Sequence, residues 1–414
     1  MPPVKKQMRR ILRKALNSRV GYGLKGWLQD SGPARREGIR TRDGRSSAEV
    51  IAYFGDRPDR LYQLQQWLTA LEKVNETRSV ALVFRDEQSF EAAGAMTELP
   101  VVVAVTQPDL VDLYASESYK LAMYVNNGMK NFQSMAEPSI IHVHVDHGES
   151  DKKSSISNQL KAYDKIFVAG PAAKERCQRE LWGLDERKMV SIGRPPLDGV
   201  FASVLPHDGR ETVVYAPTWQ GENEANNFTS VDVLGPQIVK SLLSMPVRVV
   251  YRPHPRIGGM AESAVSSADR EIKSMIDAAN DQGGAHIVST DLNILDIFVD
   301  ADLLIADISS VGLDFLYLHT EKGLLLTDRH NDRARMQSSS PIGAVLGAVS
   351  LNTIGQLPSI VDEALQEDKL QDTRRALRDH YFGEKTANGS TSKFVVAVDE
   401  AIRERESWNS ASQR

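Results

Sequence analysis

From Glu49 to about residue 330 the sequence alternates short, continuously apolar runs with longer amphipathic stretches, and this rhythm constrains the fold more than any other feature. The first series of runs is EVIAYFG, SVALVFR, PVVVAVT, LAMYVNN, IIHVHV, KIFVAG and MVSIG, with amphipathic stretches such as RLYQLQQWLTALEKV between them. A second series follows: TVVYAPTW, VRVVYRPHP, AHIVST, DLLIADIS and GLLLTD. Strands apolar on both faces belong to a mostly parallel sheet covered by helices on each side. The expected helices of the second series cover 232–244, 260–280, 292–300 and 310–319. The polar stretch LPHDGRE at 205–211 separates the two series. The expected fold is therefore α/β, with two doubly wound Rossmann-like domains facing a cleft. A basic arm and linker would occupy 1–47, an N-terminal Rossmann-like domain 48–204, a C-terminal Rossmann-like domain 210–370, and helices crossing back 371–414.

The arm departs from the rest of the chain. Residues 1–45 carry 13 Lys or Arg and three acids, while the whole chain has a net charge of −5. Met8, Ile11, Leu12, Ala15 and Leu16 fall at helical spacing, with Arg9, Arg10, Arg13 and Lys14 on the other face. Such a basic amphipathic helix either packs its stripe on the protein or lies on an anionic lipid surface, with residues 5–20 as the contact. The overall acidity argues against a nucleic-acid binder. One cysteine, Cys177, permits neither an internal disulfide nor a cysteine-based zinc site, and points to a reducing compartment. No apolar run approaches the roughly 18 residues needed to span a bilayer. The expected place is cytoplasmic, peripheral on the inner face of the cell membrane.

Four polar clusters stand at the ends of expected strands, where ligands of open α/β sheets bind. In HVHVDHGESDKK, His147 follows a buried strand in a glycine-containing turn and is suited to accept a hydroxyl proton near neutral pH, with Lys152 and Lys153 available to phosphate. In VVYRPHPRIG, His254 is framed by Pro253 and Pro255 and flanked by Arg252 and Arg256, a setting suited to an anion. In ADLLIADISSVGLDFLYL, Asp307 ends a strand, and Ser309 and Ser310 open a helix whose free N–H groups face the same way. In YAPTWQGENE, Thr218 and Trp219 leave the first strand of the second series. His142, His144, Asp146 and His147 also spell H-x-H-x-D-H, a zinc-ligand pattern of another fold class, here set inside a β/α series. No metal or cofactor is expected.

Taken together, HGESDK, YAPTWQ, RPHP and DISSVGLDF resemble, in the same order, the HGTPLK, YAPTWR, RPHP and DYSS segments of the CDP-glycerol glycerophosphotransferase family, the teichoic-acid primases and polymerases of GT-B fold. The resemblance spans about residues 120–395. It implies a transferase that moves glycerol phosphate, or a related alditol phosphate, from CDP-glycerol to a hydroxyl of a membrane-linked glycan or polyol phosphate, releasing CMP. His147 would then be the base and His254 would assist at the donor phosphate. Ser309, Ser310, Arg252, Asp307, Thr218 and Trp219 would hold the donor, with Lys152 and Glu149 on the acceptor and phosphate side. This chain departs from the family at Glu149, Ser150 and Asp151, which stand for Thr, Pro and Leu, and at Gln220, which stands for Arg. The two acids would be brought toward an incoming polyphosphate. The rival readings are a nucleotide-sugar glycosyltransferase of the same fold and a non-catalytic membrane-associated scaffold.

Overall fold

A computed structural model describes residues 38–152, 156–221, 223–258, 262–385 and 389–412. The basic arm, its proposed lipid contact at 5–20, and Lys153 lie outside the described residues.

Among the described residues fourteen strands form two sheets. The first holds β1 (Ile39–Thr41), β2 (Val50–Phe54), β3 (Val80–Phe84), β4 (Val101–Ala104), β5 (Leu121–Tyr124), β6 (Ile141–His144), β7 (Lys165–Val168) and β8 (Met189–Ser191). Their order is β1-β4-β3-β2-β5-β6-β7-β8. β1 runs antiparallel to β4, while β2 pairs in parallel with β3 and β5. The second sheet holds β9 (Thr212–Ala216), β10 (Arg248–Tyr251), β11 (Ile287–Val288), β12 (Leu303–Ala306), β13 (Gly323–Asp328) and β14 (Ala348–Ser350), in the order β11-β10-β9-β12-β13-β14. All five of its pairings are parallel. Each sheet reverses its strand order once, between β2 and β5 in the first and between β9 and β12 in the second. In a doubly wound sheet the crevice beyond the carboxyl ends of those strands is the ligand position.

The apolar runs become strands because both faces are covered. Every residue of β2, β3, β9 and β12 is buried. Helices pack one side of the second sheet through Ile238, Leu242, Ile272 and Ile276, and the other through Phe298, Phe315 and Leu316. The expected helices appear at Gly235–Leu243, Ala264–Asn280, Ile294–Asp300 and Ser310–Leu318. Cys177 is buried in the helix Pro171–Glu180.

One expected helix is broken. The run at 60–74 forms Tyr62–Gln65 and Leu68–Asn75, separate from each other. The Trp67 amide bonds to the Leu64 carbonyl at 2.9 Å, three residues back, which tightens the chain there. The indole of Trp67 is buried and donates to the Asp146 carbonyl at 2.8 Å. This tertiary bond turns Gln63 toward the carboxyl ends of β5 and β6.

The chain divides into two compact units. The first contains Met1–His147, Ala162–Ile166 and Val395–Arg414; the second contains Gly148–Lys161 and Phe167–Phe394. Within the first unit the last helix is tied down by charge: Asp399 pairs with Arg78 at 2.5 Å, Glu406 with Lys120 at 2.8 Å and Glu404 with Lys165 at 2.7 Å.

Candidate active site

In the first unit the polar groups at the ends of β2, β5 and β6 converge on His147. Asp146 has φ of 55°, the left-handed region that few residues other than glycine adopt. That turn brings its carboxylate back to the imidazole of its neighbour, with Oδ1 2.9 Å from His147 Nδ1. The Val125 carbonyl lies 3.2 Å from the same nitrogen. Burial raises the Asp146 carboxyl, but the adjacent His147 outweighs it and holds the carboxyl down to about 2. A carboxylate behind Nδ1 orients the ring and steadies the imidazolium that forms when Nε2 takes a proton. Neither Asp146 nor Val125 was singled out for this role from sequence. The order Asp-His carried the signal, read there only as part of a metal pattern.

The two upstream histidines are structural. His142 meets the Tyr124 hydroxyl through Nδ1 and the Glu137 carbonyl through Nε2, each at 2.8 Å. His144 is enclosed beside Tyr163, and burial pushes it down to about 4. With both ring nitrogens of His142 engaged, the H-x-H-x-D-H pattern does not assemble ligands. Among the described residues no group of three His, Cys, Asp or Glu side chains is placed to hold a metal ion.

In the second unit a cluster of cations gathers at the ends of β9, β10 and β12. Lys152 donates to the Thr218 hydroxyl at 3.0 Å, and burial, offset in part by Asp307, draws its ammonium down to about 8. Its charge also bears on His254, which burial first, and then Lys152, Arg256 and Arg252, push down to about 3. The Arg256 amide donates to His254 Nδ1 at 3.1 Å. His254 is thus a neutral imidazole whose proton is on Nε2, a donor and not a base. Trp219 lies 6.3 Å from it, ring to ring, and carries the Arg256 guanidinium 4.4 Å above its own face. Arg252 is half-buried and bonds to the Pro253 carbonyl at 2.8 Å.

The His254 shift has a measurable consequence. An unfolded histidine titrates near 6.5. Between that value and about 3 the unfolded chain binds a proton that the folded chain refuses, so this contribution to stability is full above about 6.5 and is lost as pH falls toward 3. The urea midpoint of the wild type is expected to fall more steeply than that of His254→Gln as pH is lowered through this window. Parallel curves would show that the histidine is not held neutral.

Asp307 differs from its expected role. It is fully buried, and both of its carboxylate oxygens are taken by protein donors. Its Oδ2 accepts from the Thr218 amide at 2.7 Å and the Ser230 amide at 3.3 Å, and its Oδ1 accepts from the Thr327 hydroxyl at 2.5 Å. It fixes the loop after β9 from behind, and burial raises its carboxyl. Ser309 stands at the helix start, yet its hydroxyl turns back to the Asp307 carbonyl at 3.2 Å and does not cap the helix. A helix start without a side-chain cap is suited to an anion. Gly148 sits against this turn: a Cβ on it would come 3.1 Å from Ser310 Cβ.

Glu149 and Asp151 do not point at an incoming phosphate. Both are buried against Arg176, which pairs with Glu149 and, at 3.1 Å, with Asp151. Asp151 also accepts from the hydroxyls of Ser340, at 2.6 Å, and Tyr381. The acids are held away because a buried carboxylate needs a partner, and Arg176 in the following helix supplies one. Nothing near them in sequence marked Arg176 as that partner.

A sequence profile of the CDP-glycerol:poly(glycerophosphate) glycerophosphotransferase family matches residues 115–320. Over that stretch, 206 of the 414 residues, the chain is similar to that family. The match takes in His147, the Thr218 loop, the His254 segment and the Asp307–Ser310 turn. A structure of the wall teichoic acid polymerase TagF, a histidine variant soaked with CDPG, is similar over 97% of this chain and 98% of that one, at 14% identity and a TM-score of 0.53. A protein from Listeria monocytogenes assigned as a UDP-N-acetylglucosamine 2-epimerase is similar over 87% and 98%, at 15% identity and a TM-score of 0.60. A glycosyltransferase from Rickettsia africae ESF-5 is similar over 87% and 99%, at 12% identity and a TM-score of 0.54. A search of the curated proteins finds no match. The chain therefore has the GT-B fold, and the family profile it matches is that of CDP-glycerol:poly(glycerophosphate) glycerophosphotransferases. No helix among its described residues is long and apolar enough to cross a membrane.

Proposed function

We propose that the chain is a CDP-glycerol glycerophosphotransferase that works with His147 as base and with the second unit's Lys152, His254, Arg252 and helix start as its phosphate-binding groups. The observation that carries the reading is the opposite preparation of two histidines. His147 has a carboxylate behind Nδ1, as a proton acceptor needs. His254 has an amide donating to Nδ1 and three cations around it, as a neutral N–H donor needs.

The acceptor oxygen attacks the glycerol-bearing phosphorus of CDP-glycerol, and its proton passes to His147 Nε2. The bond from that phosphorus to the bridging oxygen breaks, and CMP departs with the electron pair. Charge grows on the phosphoryl oxygens and on the leaving phosphate. Electrostatic stabilisation dominates such transfers. Lys152, the Nε2–H of His254, Arg252 and the N–H groups at Ser310 supply it, and Trp219 gives a flat apolar wall. The acceptor is a hydroxyl of a membrane-linked glycan or polyol phosphate. The basic segment at 5–20 holds the enzyme on the anionic inner face of the membrane.

The test is incubation of purified protein with CDP-glycerol, CDP-ribitol and a panel of UDP-sugars, with membrane lipid as acceptor and with vesicles with and without anionic lipid. CMP release from CDP-glycerol, faster on anionic vesicles, is the expected result. UDP release alone would move the reading to a glycosyltransferase, and release with none of the donors would leave a scaffold.

A further inference from the structure

We propose that Gln63 is a positioning residue for the transfer reaction: its amide, locked by Asn126 and Asp56, keeps His147 Nε2 free of a proton and ready to accept one. This rests on the reading of His147 as the base.

Asn126 is buried, and its Oδ1 accepts from the Gly128 amide at 3.0 Å. Its Nδ2 must then donate, and it meets two acceptors, Asp56 Oδ2 at 2.9 Å and Gln63 Oε1 at 2.8 Å. An amide whose two ends are both spoken for cannot be flipped without losing all three bonds. Gln63 is buried too, and with Oε1 committed to Asn126 its Nε2 is the end that faces the histidine. That nitrogen lies 3.4 Å from His147 Nε2 and 3.5 Å from the Tyr62 hydroxyl. An N–H directed at Nε2 requires a lone pair there. The ring proton is therefore on Nδ1, facing Asp146 at 2.9 Å and the Val125 carbonyl at 3.2 Å.

Asp146 alone does not secure this state, because a carboxylate behind Nδ1 favours a doubly protonated ring. The Gln63 N–H is the group that disfavours a proton on Nε2. An acceptor O–H that reaches the same nitrogen exchanges one donor for another at small net cost. The broken helix after Gln65 has a use in this arrangement: the Trp67 bond to the Asp146 carbonyl fixes Gln63 and the Asp-His pair to the same piece of backbone.

Two variants separate this from a packing role. Gln63→Glu keeps the shape and the bond from Asn126 but replaces the N–H with a proton acceptor. Gln63→Leu removes the N–H and offers nothing in its place. Turnover is expected to drop by about ten- to a hundredfold in Gln63→Glu with the acceptor KM unchanged, and by less in Gln63→Leu. Packing alone predicts the reverse order. A readout independent of activity is the imidazole ¹⁵N spectrum in weakly alkaline buffer, with the His147 signals identified from their loss in His147→Gln. Wild type should show Nε2 unprotonated, and Gln63→Glu should show it protonated. An unprotonated Nε2 in Gln63→Glu with wild-type turnover, or a protonated Nε2 in the wild type, would overturn the proposal. If no variant and no wild type releases CMP, the functional reading fails while the spectra still decide the tautomer.

Discussion

Replacing His147 with alanine is expected to lower turnover by about 10²–10⁴-fold, the usual contribution of a positioned general base. The acceptor KM should hardly move, because the imidazole makes its interaction in the transition state and not in the ground state. The fold should survive. The imidazole side chain is 36% exposed, and the groups around it keep other partners: Asp146 retains the His147 amide at 2.7 Å, and Gln63 retains Asn126. Single-turnover CMP release, measured beside a circular dichroism spectrum, checks both halves. An alanine variant that is folded and turns over normally would remove His147 from the mechanism and leave the transfer to proximity and phosphate binding alone.

The second large effect is on stability. Arg176→Met leaves Glu149 and Asp151 buried without their cation. Removing one member of a buried charge cluster typically costs about 3–5 kcal/mol, and here the Arg176 side chain is only 8% exposed and two carboxylates depend on it. The expected result is a large drop in the urea midpoint, or failure to accumulate as folded protein. The compensating variant Arg176→Met with Glu149→Gln and Asp151→Asn should recover much of that loss, because no net charge is then left inside. If Arg176→Met is as stable as wild type, the acids are solvated, and Glu149 returns as a group able to meet substrate.

Legibility differed by kind of residue. Strand identity was plain, since runs such as VALVF and LLIA are buried on both faces and carry no competing pattern. The strand-end placement of His147, His254 and Ser309 was equally plain, because a parallel sheet puts its loops where a site forms. Side-chain direction was not. Glu149 and Lys152 are three residues apart on one loop, yet one turns to Arg176 and the other to Thr218, a choice made by partners 27 and 66 residues away. Asp307 looked like a ligand because it ends a strand beside two serines, but the amides of Thr218 and Ser230 claimed it first. Gln63 was invisible for a further reason: its helix was expected to be continuous, and a regular helix carries no reason to turn this glutamine toward Asn126. The break comes from Trp67 reaching a carbonyl 79 residues away, which no local pattern encodes.

The bond between Asp307 and the Thr218 amide spans 89 residues of sequence. Two stretches that look like separate signatures are therefore one inheritance unit. Recombination between diverged members, whether by gene conversion or in a laboratory library, has a forbidden crossover zone between residues 218 and 307 unless both parents carry the aspartate and a loop of matching length. Natural exchange of donor preference among such enzymes should accordingly move the entire second sheet as a block and not one motif at a time.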